Sequence, residues 1–268
     1  SLGSLTDEEA RQVENYEDRM GIGVLHKIKE PKKIKLIDGL DLNVTNLYNL
    51  FQIEYKEITG DYYCINDDDS AVNLRTILLY FCEDKRFFKT SILLKKHNEI
   101  ELEPCFSKGL LIVGNSGNGK TTIMNAIRNA INKATSKARN EYWKSYPKWN
   151  SKRFTFVSAP AVVEEYDSLE GITDKAEFFK KYNSFRYCFD DLFRERMGNN
   201  FGRIDLFTDI LFRRYENKSI THANMNFLNS NNIDDVLKEF GRRHGSHIYD
   251  RVFAMFNVIE FKGKSKRR

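Results

Sequence analysis

The sequence predicts an α/β fold in which a parallel sheet is flanked by helices, and three observations carry that expectation. Residues 114 to 122, Gly114-Asn115-Ser116-Gly117-Asn118-Gly119-Lys120-Thr121-Thr122, fill the spacing G-x-x-x-x-G-K-[ST] without a gap. The apolar run Gly109 to Val113 precedes this stretch, and Ile123, Met124, Ala126, Ile127, Ala130 and Ile131 follow it at helical spacing. Beyond that, apolar runs of strand length alternate with amphipathic helical stretches, the pattern of a parallel sheet covered by helices.

The elements are expected in this order. Ala71 to Phe88 carries Leu74, Ile77, Leu78, Phe81 and Cys82 at helical spacing and leads into the strand Gly109 to Val113. A helix beginning at about Lys120 follows, and the charged, aromatic stretch Lys133 to Trp149 extends it and then becomes a surface loop. Strand Phe154 to Val157, helix Lys175 to Tyr182, strand Phe185 to Phe189, helix Ile204 to Tyr215 and strand Ile220 to Ala223 come next. A helix through Val236 to Phe240, another around Ile248 to Phe256 and a strand Val258 to Phe261 complete the set. The acidic turn Asp67-Asp68-Asp69-Ser70 marks a boundary. Residues 1–70, which mix short apolar runs such as Leu47 to Phe51 with the basic stretch Lys27 to Lys35, are expected to form a small N-terminal accessory domain, and 71–268 the nucleotide-binding domain.

Composition narrows the class. The 268 residues are 41% hydrophobic, enough for a substantial core. No apolar run reaches the roughly 20 residues of a membrane span, and the N-terminus lacks the basic start and apolar centre of a secretion leader. Cys64, Cys82, Cys105 and Cys188 are far apart, with no C-x-x-C pair, against a zinc site or a disulfide framework. A reducing, cytoplasmic setting and no membrane partner are the expectation. The net charge is +5, and the basic end Lys262 to Arg268 can contact nucleic-acid phosphates or be a solvated tail.

The glycines of the 114–122 loop let backbone N–H groups turn toward phosphate oxygens, and the helix start at Lys120 adds its positive dipole end. Lys120 is expected to reach the β- and γ-phosphates of a bound nucleotide, and the Thr121 hydroxyl to take one position on Mg²⁺. Downstream, Tyr187 to Leu192 is an apolar strand ending in two carboxylates. Two adjacent buried acids are costly unless a cation meets them. Asp190 is therefore expected to hold the metal, directly or through its waters, and Asp191 to orient or deprotonate the attacking water; a pair of acids capping the next helix is the alternative.

Thr221 to Asn226 ends the following strand with Asn224 and Asn226, either of which could sense the γ-phosphate or the water. His222 is read as structural. Arg242, Arg243 and Arg251 precede the last strand, and an Arg there could neutralise a transferring phosphoryl group in a neighbouring subunit or be a surface charge.

The order of these motifs resembles that of the AAA+ ATPases, and within them the DnaC/IstB-type branch of helicase loaders and transposition ATPases. The resemblance covers about residues 71–268. It is carried by Lys108 to Gly114 into the P-loop, Phe189-Asp190-Asp191-Leu192, Ile210 to Tyr215, Thr221-His222-Ala223 and Tyr249 to Asn257.

The resemblance implies ATP hydrolysis with Asp191 as the second acid, the strand-end sensor at Asn226, and a finger arginine at Arg251 that acts in the next copy of an ATP-dependent oligomer. Asn224 stands where Thr or Ser is commoner and His247 where some relatives have Arg. It also implies a missing or minimal helical lid, and a replicative DNA helicase and single-stranded DNA as partners, with the helicase bound through residues 1–70. An IstB-like transposition regulator on double-stranded DNA, and a non-hydrolysing ATP-binding switch or clamp, are the competing functions.

Overall fold

The computed structural model describes residues 41–65, 67–141, 147–194, 205–228, 232–263 and 265. The basic stretch Lys27 to Lys35 and most of the basic end lie outside them.

Two helices come first. Helix α1 (Val44–Thr59) is capped by the Asn43 side chain and stopped by Gly60 at φ +88°. Helix α2 (Asp68–Phe81) begins within the acidic run: Asp67 accepts a hydrogen bond from the Ser70 N–H, and Asp68 and Asp69 lie in the first turn, where carboxylates suit the dipole. A short 3-10 turn, Lys85–Lys89, takes the end of the stretch expected to be helical up to Phe88. A small hairpin, β1 (Lys96–His97) with β2 (Ile100–Glu101), precedes β3 (Gly109–Gly114).

Helix α3 (Lys120–Glu141) leaves the end of β3, and α4 (Pro147–Asn150) is a single turn. Strand β4 (Thr155–Ser158), helices α5 (Ala159–Asp167) and α6 (Ile172–Asn183), β5 (Tyr187–Leu192), α7 (Leu206–Glu216) and β6 (Thr221–Asn226) follow. Helices α8 (Ile233–His244) and α9 (Ser246–Met255) and strand β7 (Phe256–Phe261) complete the described chain. The five-stranded sheet has the order β4-β5-β6-β3-β7, and all its pairs are parallel. This is the α/β architecture that the alternation predicts.

Alternation along the buried strands divides the core into two. From β3, Leu110 and Ile112 point to one side with α1, α2 and α3, through Phe51, Leu74, Ile77, Ile123 and Ile127. Leu111 and Val113 point to the other side, where α5 to α9 supply Val162, Phe178, Phe207, Leu237 and Val252. The result is three layers around one sheet. Helix α1 lies against α3, and Lys133 of α3 meets Glu54 at 2.7 Å and Glu57 at 3.0 Å.

Two expectations need correction. Trp149, expected in a surface loop, is 1% exposed and belongs to the first core; its large apolar area outweighs the charged residues around it in sequence. Helix α5 was not foreseen, although Ser158 caps it by accepting from the Ala161 N–H at 3.3 Å and Pro160 follows at its start.

The strands are held at both ends. At their amino ends, Arg214 of α7 is fully buried and donates to the carbonyls of Tyr182 and Ser184 at 2.5 and 3.3 Å, Phe185 at 2.9 Å and Ile220 at 2.8 Å, and to the Thr221 hydroxyl at 2.8 Å. Burial lowers its pKa to about 10, still far above neutrality. Gly109 lets β3 approach β6, since a Cβ there would lie 1.6 Å from the Thr221 carbonyl oxygen. His222, buried among Tyr80, Phe81 and Phe154, accepts the Leu110 N–H at Nδ1, 3.0 Å away. Its place in the core agrees with the structural reading of this residue.

Gly109→Ala should therefore cost stability at the upper end of the about 1–3 kcal/mol typical of overpacking, or more, because the clash is with backbone. Chemical denaturation checks this. Burial lowers the His222 pKa from 6.5 to about 3, so the unfolded chain binds its proton first as pH falls. Stability contributed by this group is complete above about pH 6.5 and is lost as pH falls towards 3, with a limiting slope of about 1.4 kcal/mol per pH unit. The difference in pH slope between the protein and His222→Asn measures it.

Candidate nucleotide-binding site

The carboxyl ends of β3, β5 and β6 converge on one cleft, the location at which open parallel sheets take their ligands. It is lined by Ser116, Gly117, Asn118, Gly119, Lys120, Thr121 and Thr122 from the loop, with Asp191, Asn226 and Tyr55. The loop conformation depends on Gly119, at φ +97°; a Cβ there would touch only Ile123 at 3.7 Å, so the backbone angle rather than space favours glycine. Gly114 is required by space instead, since its Cβ would lie 2.7 Å from the Phe261 carbonyl oxygen. Asn115 turns the chain at the loop entry, and its carbonyl accepts from the Asn118 N–H at 3.4 Å.

Lys120 is 5% exposed, and its ammonium is held over the loop. It donates to the carbonyls of Gly114 and Asn115, both at 2.8 Å, to Asn118 Oδ1 at 3.2 Å and to Asn226 Oδ1 at 3.1 Å. These four acceptors fix the ammonium over the loop.

Asp191 lines the cleft and Asp190 lies buried beneath it beside Thr121, an arrangement made by a break in the strand. Phe189 pairs with Ala223 but Leu192 pairs with Met225, so β5 carries one extra residue against β6. Asp191 sits in the left-handed region at φ +54°. Adjacent residues of a regular strand would face opposite sides; the bulge lets both carboxylates work at the same strand end.

Asp190 is 5% exposed, and one oxygen, Oδ1, accepts from the Thr121 hydroxyl at 3.0 Å and from Asn224 Nδ2 at 2.7 Å. Burial pushes its carboxyl above the usual range, against the two hydrogen bonds, which act the other way. Asp191 is more open. Asn226 Nδ2 donates to its Oδ1 at 3.1 Å, and Arg194 pairs with Oδ2 at 3.1 Å.

The two asparagines are thus separated by geometry. Asn226 bridges Lys120 and Asp191 in the cleft, while Asn224 is 1% exposed behind Asp190, with its own Oδ1 buried and without a partner among the described residues. Arg251 is not in this cleft. It projects from α9 over the rings of Phe212 and Tyr215 of α7, at 5.0 and 4.9 Å. Of the other arginines before β7, Arg242 pairs with Glu239 and Arg243 donates to the Phe193 carbonyl; the His247 side chain lies outside the described residues.

Sequence reasoning missed Tyr55, which comes from α1, far upstream of the loop. It is braced edge-on against Tyr63 at 5.0 Å and tilted against Phe51 at 5.5 Å. The run Phe51, Tyr55 at helical spacing was visible, but nothing local said which strand end it would meet.

The residues fit a nucleotide with a divalent cation on two observations. The loop, turned by positive φ at Gly117 and Gly119, lines the cleft from Ser116 to Thr122, and a buried carboxylate, Asp190, lies beside the Thr121 hydroxyl. Among the described residues no group of three or more His, Cys, Asp or Glu could hold a metal alone. A cation here would take its other ligands from phosphate oxygens and water, the habit of Mg²⁺.

Because burial raises the Asp190 pKa, ionising this group costs the free protein stability as pH rises through its folded pKa, and the cost is absent below about 3.8. Asp190→Asn keeps an oxygen for both Thr121 and Asn224. Without Mg²⁺ at neutral pH, its melting temperature should equal or exceed that of the parent, and the gap should close towards pH 4 in thermal unfolding.

Comparison with known proteins gives structural likenesses only. No family profile matches the sequence, and no curated protein matches it. Among solved structures the chain is similar to DnaI, at 20% identity and a TM-score of 0.46 over 76% of this chain and 88% of that one. It is also similar to the DnaC helicase loader, at 21% identity and a TM-score of 0.49 over 78% of this chain and 98% of that one. Among the described residues no helix is long and apolar enough to cross a membrane.

Proposed function

We propose that the chain is a Mg²⁺-dependent ATPase that acts as a helicase loader. The observation that carries the ATPase reading is the meeting of Lys120, Thr121, Asp190, Asp191 and Asn226 at adjacent strand ends. The loader role rests on the ordered motifs in the sequence that resemble that branch. In this reading residues 71–268 carry the ATPase domain, onto which α1 packs so that Tyr55 joins the cleft, residues 1–70 bind a replicative helicase, and single-stranded DNA is held by basic residues of the ATPase assembly.

The loop from Gly114 to Thr122 binds the phosphates of ATP through its N–H groups, and Lys120 moves from its carbonyl contacts to the β- and γ-phosphates. Thr121 and Asp190 hold Mg²⁺, which when bound with ATP supplies charge neutralisation and orientation of the phosphates. Asp191 accepts a proton from the attacking water as the water oxygen bonds to the γ-phosphorus and the bond to the β-phosphate oxygen breaks. Asn226 aims that carboxylate and touches the same water or the γ-phosphate. Arg251 lies outside the cleft of its own subunit, which supports its use as a finger in the neighbouring one.

Asp191→Asn should keep ATP affinity within a few-fold and lower turnover by about 10²-fold or more. Arg251→Ala should lower turnover in the assembled protein by a comparable factor, and mixing it with Asp191→Asn should restore activity at the interfaces that join an intact Asp191 to an intact Arg251. Steady-state phosphate release with a sizing run checks both. Full activity in dilute monomer would sink the shared site, and turnover unchanged in Asp191→Asn would favour the clamp.

A further inference from the structure

At the other end of the strands from the nucleotide cleft lies a larger cavity of about 710 Å³. Its walls come from the amino ends of β4, β5 and β6 and from the outer part of α3. Because α3 begins in the nucleotide cleft and rises about 1.5 Å per residue, Arg128 lies about 12 Å from its start, on the way to the amino ends of the strands.

Four cations line this cavity: Arg128, Arg153, Arg186 and Lys218. No carboxylate lines it, and among the described residues none of the four has an ion-pair partner. Arg153 Nε donates instead to Asn132 Oδ1 at 3.3 Å, and Arg128 Nη2 to Asn129 Oδ1 at 2.8 Å, neutral groups that leave the charges uncompensated. Arg128 Nε is buried with no hydrogen-bond partner among the described residues. A buried, unsatisfied guanidinium N–H in a cavity of one sign calls for an anionic acceptor.

The rim adds an aromatic. Phe185 is 84% exposed, a large apolar ring held in water. It is not there by looseness: its φ is +56°, a costly angle for a residue with a Cβ, and Arg214 Nη2 fixes its carbonyl at 2.9 Å from below. Arg186 follows directly, and its carbonyl is tied to the Thr155 N–H at 2.9 Å. A strained, anchored backbone thus presents a ring beside guanidinium groups.

We propose that this cavity binds a single strand of nucleic acid, with backbone phosphates on Arg128, Arg153, Arg186 and Lys218 and a base stacked on Phe185. Cations spread over a cavity of this size match successive phosphates better than one compact anion, and an exposed ring fits an unpaired base, which a duplex keeps inside its stack. The assignment rests on the proposed nucleic-acid partner and gives that partner a location away from the ATP cleft.

The test is fluorescence anisotropy of a labelled oligothymidylate with the full chain at several salt concentrations, with and without ATP. Arg153→Ala and Lys218→Ala should each weaken binding and each reduce the slope of log affinity against log salt by about 0.7, the single-strand value per phosphate contact. Phe185→Ala should weaken binding roughly tenfold with the salt slope unchanged, because stacking releases no counterions. All three side chains are exposed and outside the catalytic set, so unaltered melting temperatures and unaltered ATP turnover without DNA serve as controls.

If the parent binds the strand and the three variants bind it equally well, the cavity assignment fails and the nucleic-acid partner stands, held elsewhere. If the parent binds no strand in any nucleotide state, the partner fails as well, while ATP turnover, measured separately, keeps the ATPase reading. If a duplex of the same length competes as strongly as the strand, the base-stacking assignment is overturned.

Discussion

The site is organised by a single buried oxygen. Asp190 Oδ1 accepts from Thr121 at the start of the P-loop helix and from Asn224 in the neighbouring strand, so one carboxylate joins β5, β6 and α3. Buried ionised groups are costly, and burial raises the Asp190 pKa even with two hydrogen bonds opposing it. A cation beside it would remove that cost. The cleft is thus assembled but electrostatically unfinished, which suits the proposed uptake of a phosphate chain with a divalent cation.

The arrangement depends on the strands arriving in register, which is settled at their other end. Gly109 lets β3 lie close to β6, His222 ties the two at Leu110, and Arg214 gathers the carbonyls that precede β5 and β6. A guanidinium with its charge solvated by carbonyls rather than by a carboxylate is fixed in place by geometry. That geometry also turns Phe185 outward. The interactions that align the cleft therefore also shape the basic cavity at the amino ends of the strands.

Much of this was legible from local pattern. The spacing of Gly114, Gly119, Lys120 and Thr121 defines a loop, and the flanking period changes from strand to helix without ambiguity. The pair Asp190-Asp191 after an apolar run marked the second strand end. Other features depend on tertiary contacts that no window contains. Arginine is usually exposed, so nothing local marks Arg214 as core. Tyr55 meets the cleft only because α1 packs on α3, and the bulge that places Asp191 appears only when β5 is paired with β6. Trp149 sits in a charged stretch that reads as surface, whereas Ser158-Ala159-Pro160 did carry a helix-start signal.

The most direct measurement is calorimetric titration of ATP into the protein and into Lys120→Ala, each with and without Mg²⁺. The account predicts one site per chain, tighter with Mg²⁺, and affinity lowered by about 10²-fold or more in the variant, the scale of a lost charge-assisted contact to phosphate. Equal affinity in Lys120→Ala, or binding indifferent to Mg²⁺, would contradict the claim that these strand ends form a nucleotide site.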